Sequence, residues 1–304
     1  MTSTTTLDRA ARSATKPAPP FYITRQEERR LRMKAERLSP SLVIDQPSSF
    51  DEYTRQLMVP PAVMDLARKA SGIRLATWEV QAIRELLDPG TGSEDRSERP
   101  RLLREILIAK AAADPSHPPY IRVACTGRGL YDDRARAFGH DTDTDADLVG
   151  SPVVLEIWPA QHYSPMHSHG QTTGIIHCLA GQLDVMSYSH LSWDAEKRGL
   201  ATLTPGRCAW LTKETYAVHK VFCPMDGGPQ PTPLLNDTGD FAASFHVYLN
   251  EDELTLDAYE PSVLSRDKFH YIHEHTHMES IFETYSDLSW TALRKALVDV
   301  AARW

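Results

Sequence analysis

Long apolar runs are missing from this chain of 304 residues, and none approaches the roughly 18 residues that a membrane-crossing helix needs. The opening stretch MTSTTTLDRAARSATKPAPP is rich in Ser and Thr and lacks the apolar segment of a secretory leader, so residues 1–22 read as a disordered tail. Positive charge is scarce too. Lys and Arg number 33 against 41 Asp and Glu, and no basic cluster interleaved with aromatics offsets the net charge of −8. Phosphate backbones and anionic headgroups attract the opposite kind of surface, so neither nucleic acid nor membrane is an expected partner. The cysteines are only four (Cys125, Cys178, Cys208 and Cys223) and show no CxxC spacing. A disulfide framework is unusual in so long a chain, and free buried thiols in a reducing cytoplasm are the expectation.

The residues that are present fall into three zones. Residues 23–117 read as a helical region packed on the β-rich zone after it: RQEERRLRMKAERL, WEVQAIRELL and RLLREILIAKAAA have helical spacing, with DPGTGSEDRSERP as a loop between the last two. Over residues 118–260 the period shortens. YIRVACTGR, VVLEIWPA, TGIIHCLA, QLDVMSYS, CAWLT, YAVHKVF and ASFHVYL are strand-like runs parted by turn residues, the pattern of an all-β barrel or sandwich. Two insertions, DDRARAFGHDTDTDAD and PMDGGPQPTPLLNDTGD, read as surface loops, and the acidic one lacks the glycine and terminal glutamate of a calcium loop. Residues 261–304 form an extension that closes with DLSWTALRKALVDVAARW, an amphipathic helix.

Chemistry concentrates in SPMHSHGQTTGIIHCLAGQL. His167 and His169 are two residues apart, so on a strand both imidazoles project to one side. HYIHEHTH is denser in histidine (His270, His273, His275, His277), but no distant ligand accompanies it and it reads as exposed. His219 in KETYAVHKVF offers a third imidazole from a later strand. Three neutral imidazoles leave the charge of a divalent ion uncompensated and several positions open, which suits an anionic ligand such as a thiolate together with dioxygen. In ASFHVYL, Ser244, His246 and Tyr248 alternate along one strand, so hydroxyl, imidazole and phenol share a face and can hydrogen-bond in a row.

The HxH segment and its trailing glycines resemble the first motif of the cupin barrel, although the position of that motif's glutamate ligand falls on Thr173 or Gly174. With Tyr120 and Arg122 in YIRV, Trp158 ahead of SPMHSH, CAWL, HKV at His219 and the Ser244-x-His246-x-Tyr248 row, residues 118–260 resemble the cysteine dioxygenases, thiol dioxygenases of the cupin superfamily. The resemblance implies a mainly β cupin fold, a double-stranded β-helix or jelly-roll barrel. It implies ferrous iron, Fe(2+), held by His167, His169 and His219. Arg122 would pair with a substrate carboxylate, with Tyr120 and Trp158 among the substrate-binding residues. Tyr248, oriented by His246 and Ser244, would stand beside the reacting oxygen. The implied partners are a small thiol, cysteine first, and dioxygen, whose two atoms go to sulfur to give a sulfinic acid. The cysteine that is cross-linked to the tyrosine in the animal enzymes is replaced by Gly174, so that cross-link is excluded, as in many bacterial members.

Glu156 does not fit this pattern. It lies two residues before Trp158 and shares its face, where an apolar residue is expected, and a buried carboxylate needs a partner. Either it pairs with Arg122 or turns outward at a bulge, or it binds a cationic group of the substrate. If it occupies Arg122, the carboxylate-binding role is lost, and 3-mercaptopropionate-like or larger thiols have to be considered. Two other functions stay open: a ring-cleaving three-histidine cupin dioxygenase, and a non-enzymatic cupin that binds a metal.

Overall fold

The computed structural model describes residues 25–38, 42–43, 59–87, 101–114, 119–125, 127–133, 153–170, 172–212, 217–224, 240–249, 268–283 and 285–304. The N-terminal tail and most of both insertions lie outside them.

Two sheets face each other. The seven-stranded sheet runs in the order β1 (Leu42–Val43), β8 (Arg207–Leu211), β5 (Thr173–Ala180), β10 (Phe241–Leu249), β3 (Val153–Pro159), β2 (Ile121–Ala124), β13 (Leu288–Ser289). The six-stranded sheet runs β12 (Glu279–Glu283), β11 (Lys268–Ile272), β4 (His167–Ser168), β9 (Val218–Phe222), β6 (Leu183–Tyr188), β7 (Lys197–Leu203). Every pairing is antiparallel except that of β13 with β2. Between the sheets lies an apolar core that includes Trp158, Ile176, Leu183, Val185, Leu203, Leu211 and Val221. The architecture is mainly β, two packed and largely antiparallel sheets with helices before and after them. Its sheets also recruit strands on both sides of residues 118–260: β1 pairs with β8, and β11 pairs with β4.

Helices cover the outer faces, which explains why so many strands read as continuous apolar runs. In β3, Leu155 and Ile157 face a cluster built with Ile83 of α3 (Thr77–Leu87), Ile106 of α4 (Leu102–Ala113) and Leu293 of α5 (Trp290–Ala301). Trp158 on the alternate face enters the barrel. The α5 helix begins where the Ser289 hydroxyl accepts the Ala292 N–H (3.1 Å), satisfying one of the donors a first turn leaves open. On the other sheet, Leu31 of α1 (Arg25–Leu38) packs with Met186 and Leu200. The expected helices did not include α2 (Pro61–Ala70), although its signals are plain: proline in the first turn and buried Val63, Leu66, Ala67 and Ala70 at helical spacing. This helix covers Ile175, Cys208 and Trp210. Nor was β7 among the expected strands, since its KRGLATL mixes charge, glycine and small residues.

One residue of the acidic insertion corrects the surface-loop expectation. Asp132 is fully buried, accepting from the backbone N–H groups of Gly129 (2.9 Å) and Ser289 (2.8 Å), and so ties the loop after β2 to the start of α5. The described cysteines are free thiols, three buried and Cys125 half-buried. No helix among the described residues is long and apolar enough to cross a membrane.

Candidate metal centre

Strand register assembles the three histidines. His167 on β4 stands directly opposite His219 on β9, and His169 comes two residues later on the same side. Their ligand nitrogens all lie within 4.8 Å of one another, the sole such group of three or more His, Cys, Asp or Glu among the described residues. The ring of His169 stacks on that of His219, with centroids 5.0 Å apart and planes within 10°. His169 and His219 are buried and His167 is half-buried.

The neighbours set the protonation. A carbonyl only accepts, so the contact of His167 Nδ1 with the Pro165 oxygen (2.9 Å) puts the ring hydrogen on Nδ1 and leaves Nε2 as a lone pair. Nε2 then lies 3.0 Å from His169 Nε2. Burial pushes His167 down to about 3 and His169 well below its ordinary value, reinforced in each by the neighbouring imidazoles. Neutral rings are what a metal ion requires. Two nitrogens bound at right angles about 2.1 Å from one ion stand about 3 Å apart. The donor set therefore fits a divalent cation.

Beside it lies the row from β10. Trp158 Nε1 donates to Ser244 Oγ (3.0 Å), Ser244 Oγ is 2.6 Å from His246 Nε2, and His246 Nδ1 is 2.6 Å from the Tyr248 hydroxyl. The Tyr248 ring then stacks on His169 at 4.6 Å, so the row ends on the three-histidine group. Gly174 is the register partner of Tyr248, and a Cβ there would stand 2.9 Å from the tyrosine ring. Any side chain at that position presses on Tyr248.

Glu156 points inward and is buried. Its Oε1 is 3.1 Å from Arg122 Nε, its ladder neighbour, and its Oε2 is 3.1 Å from His246 Nε2. The pairing with Arg122 is one of the alternatives the sequence left open; the contact with His246 is not among them. Burial pushes the carboxyl up to about 7, while Arg122 and Lys110 pull it back. Burial also holds His246 far below its usual range, so that ring is neutral. Tyr120 stacks on Trp158 with centroids 3.9 Å apart.

The cavity holding these groups has about 1040 Å³ of empty volume, counting its solvent-open mouth. Part of its wall was not expected from the sequence. Lys110 Nζ reaches in from α4 to Asp287 (2.8 Å) and to the Tyr120 carbonyl. Phe269 and Tyr271 enter from β11, and their alternation with His270 in KFHYI is the signal that would have found them. HYIHEHTH forms no ligand set. Residues 274–276 are a turn, so its histidines do not line one strand face.

No family model matches the chain, and no curated protein matches it. Similar solved structures include the CENP-C cupin domain of Drosophila melanogaster (10% identity, TM-score 0.23, 36% of this chain and 65% of that one). Another is an oxalate oxidase in complex with the substrate analogue glycolate (15%, 0.22, 32% and 40%). A third is a 4-keto-6-deoxy sugar epimerase from Streptomyces spheroides (15%, 0.23, 43% and 55%). The match spans less than two thirds of each of these three chains. Likenesses this slight carry no argument, and the chemistry rests on the residues themselves: a two-sheet β structure with a three-histidine group suited to a metal ion.

Proposed function

We propose that the protein is an iron-dependent thiol dioxygenase of the cysteine dioxygenase type, adding both atoms of dioxygen to the sulfur of a small thiol. The observation that carries this reading is the hydrogen-bonded row Ser244–His246–Tyr248 ending in a stack on His169. A site that only stores metal has no use for an aligned phenol at its open side. His167, His169 and His219 would hold ferrous iron. When bound, that ion would supply the acidity that keeps a thiol ionised near neutral pH and a redox centre that brings dioxygen to react, while the four electrons that reduce dioxygen come from the sulfur as it becomes a sulfinate.

The remaining work belongs to the chain. Neutral His246 receives the Tyr248 hydroxyl proton in a hydrogen bond at Nδ1 and directs its Nε2–H toward Glu156 and Ser244. The phenol is thereby held in one orientation, from which it can give or take a proton. Stacked Tyr120 and Trp158 close one wall against water. Free cysteines and a thiol substrate both suit a reducing compartment, and the cytoplasm is the proposed location.

Oxygen consumption by the ferrous-loaded protein against a thiol panel tests the reading. Uptake matched by sulfinate, and lost in His219→Ala, is the expected result. Iron bound with no uptake for any thiol overturns it, and uptake with catechol-like compounds instead points to ring cleavage.

A further inference from the structure

The cations that line the cavity are already neutralised. Arg122 carries Glu156 at 3.1 Å, and Lys110 carries Asp287 at 2.8 Å. Both carboxylates are buried, Glu156 to 4% and Asp287 to 0% exposure, so water screens neither pairing. Glu156 is held from two sides, its first oxygen on Arg122 and its second on His246. A substrate carboxylate arriving at Arg122 would therefore meet a resident anion, and two carboxylates sharing one cation repel.

The walls ask for something else. Tyr120, Trp158, Phe269, Tyr271, Phe282 and Tyr285 surround the space in front of the histidines. Aromatic side chains gain most from covering an apolar or aromatic body.

We infer that Glu156 sets the substrate class: the site takes a carboxylate-free thiol whose apolar or aromatic body lies against this aromatic wall. The inference rests on the thiol dioxygenase reading and names its substrate. Glu156 acts by cancelling Arg122, and it is a specificity residue with no role in bond making.

The test compares 2-phenylethanethiol with 3-mercaptopropionate and cysteine, using the iron-loaded full chain and its Glu156→Gln variant. In the wild type, kcat/KM for 2-phenylethanethiol is expected to exceed that for 3-mercaptopropionate by at least about tenfold, the scale of one pocket interaction. Glu156→Gln returns Arg122 its charge, and the ratio should fall about tenfold or reverse. A general loss from the His246 contact cancels, because two thiols are compared within one variant. Binding supplies a second readout. Under anaerobic conditions, the thiolate absorbance of the cobalt-substituted protein should titrate at lower concentration with the aryl thiol in the wild type and shift toward 3-mercaptopropionate in Glu156→Gln. A wild type that prefers cysteine or 3-mercaptopropionate overturns this inference and leaves the dioxygenase reading standing. A ratio unmoved in a folded Glu156→Gln removes Glu156 as its cause. No uptake and no thiolate absorbance with any thiol overturns both, and the wild-type ratio decides the substrate class should the variant fail to fold.

Discussion

Two histidine-rich stretches lie side by side in one sheet and do opposite things. On β4, His167 turns inward and meets His169 and His219; on β11, the next strand, His270 pairs with Ser168 in the ladder and turns outward. The denser stretch is the one whose rings do not converge. His270 is 54% exposed beside Glu279, and His273 Nδ1 accepts the N–H groups of His275 and Thr276 (3.2 Å each). His277, at φ 60°, stacks on Trp193 at 3.7 Å. Each of these three has a local task in the hairpin. Between these histidines, Glu274 pairs at 2.5 Å with the fully buried Lys220, next to His219. Histidine density along the chain says little. Register and burial decide which rings converge.

The comparison breaks most visibly at His219. On the proposed reading His219→Ala removes one of three ligands, and bound iron, measured by atomic emission on protein reconstituted under nitrogen, should fall from about one ion per chain to near zero, with oxygen uptake lost. Retention of full metal would mean that the exposed histidines bind it after all. Next in size is Glu274→Gln. Burial draws the Lys220 ammonium down to about 8, and Glu274 opposes that shift. Without the carboxylate a buried charge remains, and the expected loss is about 3–5 kcal/mol of stability by denaturant unfolding. The double change Lys220→Met with Glu274→Leu should recover most of it, because no charge is then left inside. Tyr248→Phe leaves the metal group whole and removes only the hydroxyl. Iron content should stay constant while kcat falls by about a hundredfold, the lower range for a positioned acid or base.

The strands of the barrel, the His167–His169 pair and the Ser244–His246–Tyr248 row were legible in the sequence through period-two spacing, because alternate residues on a strand share a face wherever the strand pairs. Glu156 was legible as an inward carboxylate, but its second partner was not. The contact with His246 depends on β3 lying beside β10, a neighbour relation with no local signature. Lys110 and Asp287 stayed hidden for the same reason, since they come from a helix and a C-terminal segment that sequence distance separates from the barrel, whereas Tyr120 and Trp158 of the aromatic wall were singled out and Phe269 and Tyr271 carry a local signal in the alternation of KFHYI. The α2 helix is a different case. Its proline and its apolar spacing are local signals, so nothing physical concealed it.

A pH series sharpens the comparison further. Burial first, then Asp287, raise Glu156 to about 7, while Arg122 and Lys110 oppose the rise and neutral His246 adds no charge. A raised carboxyl is protonated below that value and ionised above it. Arg122 is therefore neutralised at pH 8 and released at pH 6. The preference for a carboxylate-free thiol over 3-mercaptopropionate should narrow severalfold as pH falls from about 8 to about 6, and the profile of Glu156→Gln should be flat across the same range.

The smallest expected effect is the most pointed. His275 sits in the turn between β11 and β12, exposed, with His273 as its ring neighbour at 5.9 Å. His275→Ala removes surface area that is already wet, so stability should change by no more than about 0.5 kcal/mol. Iron content, kcat and KM should match the parent protein. Because β11 adjoins β4 directly, any measurable fall in metal affinity would mean that the hairpin communicates with the centre, and the line between a converged cluster and a merely dense one would have to be redrawn through Glu274 and Lys220.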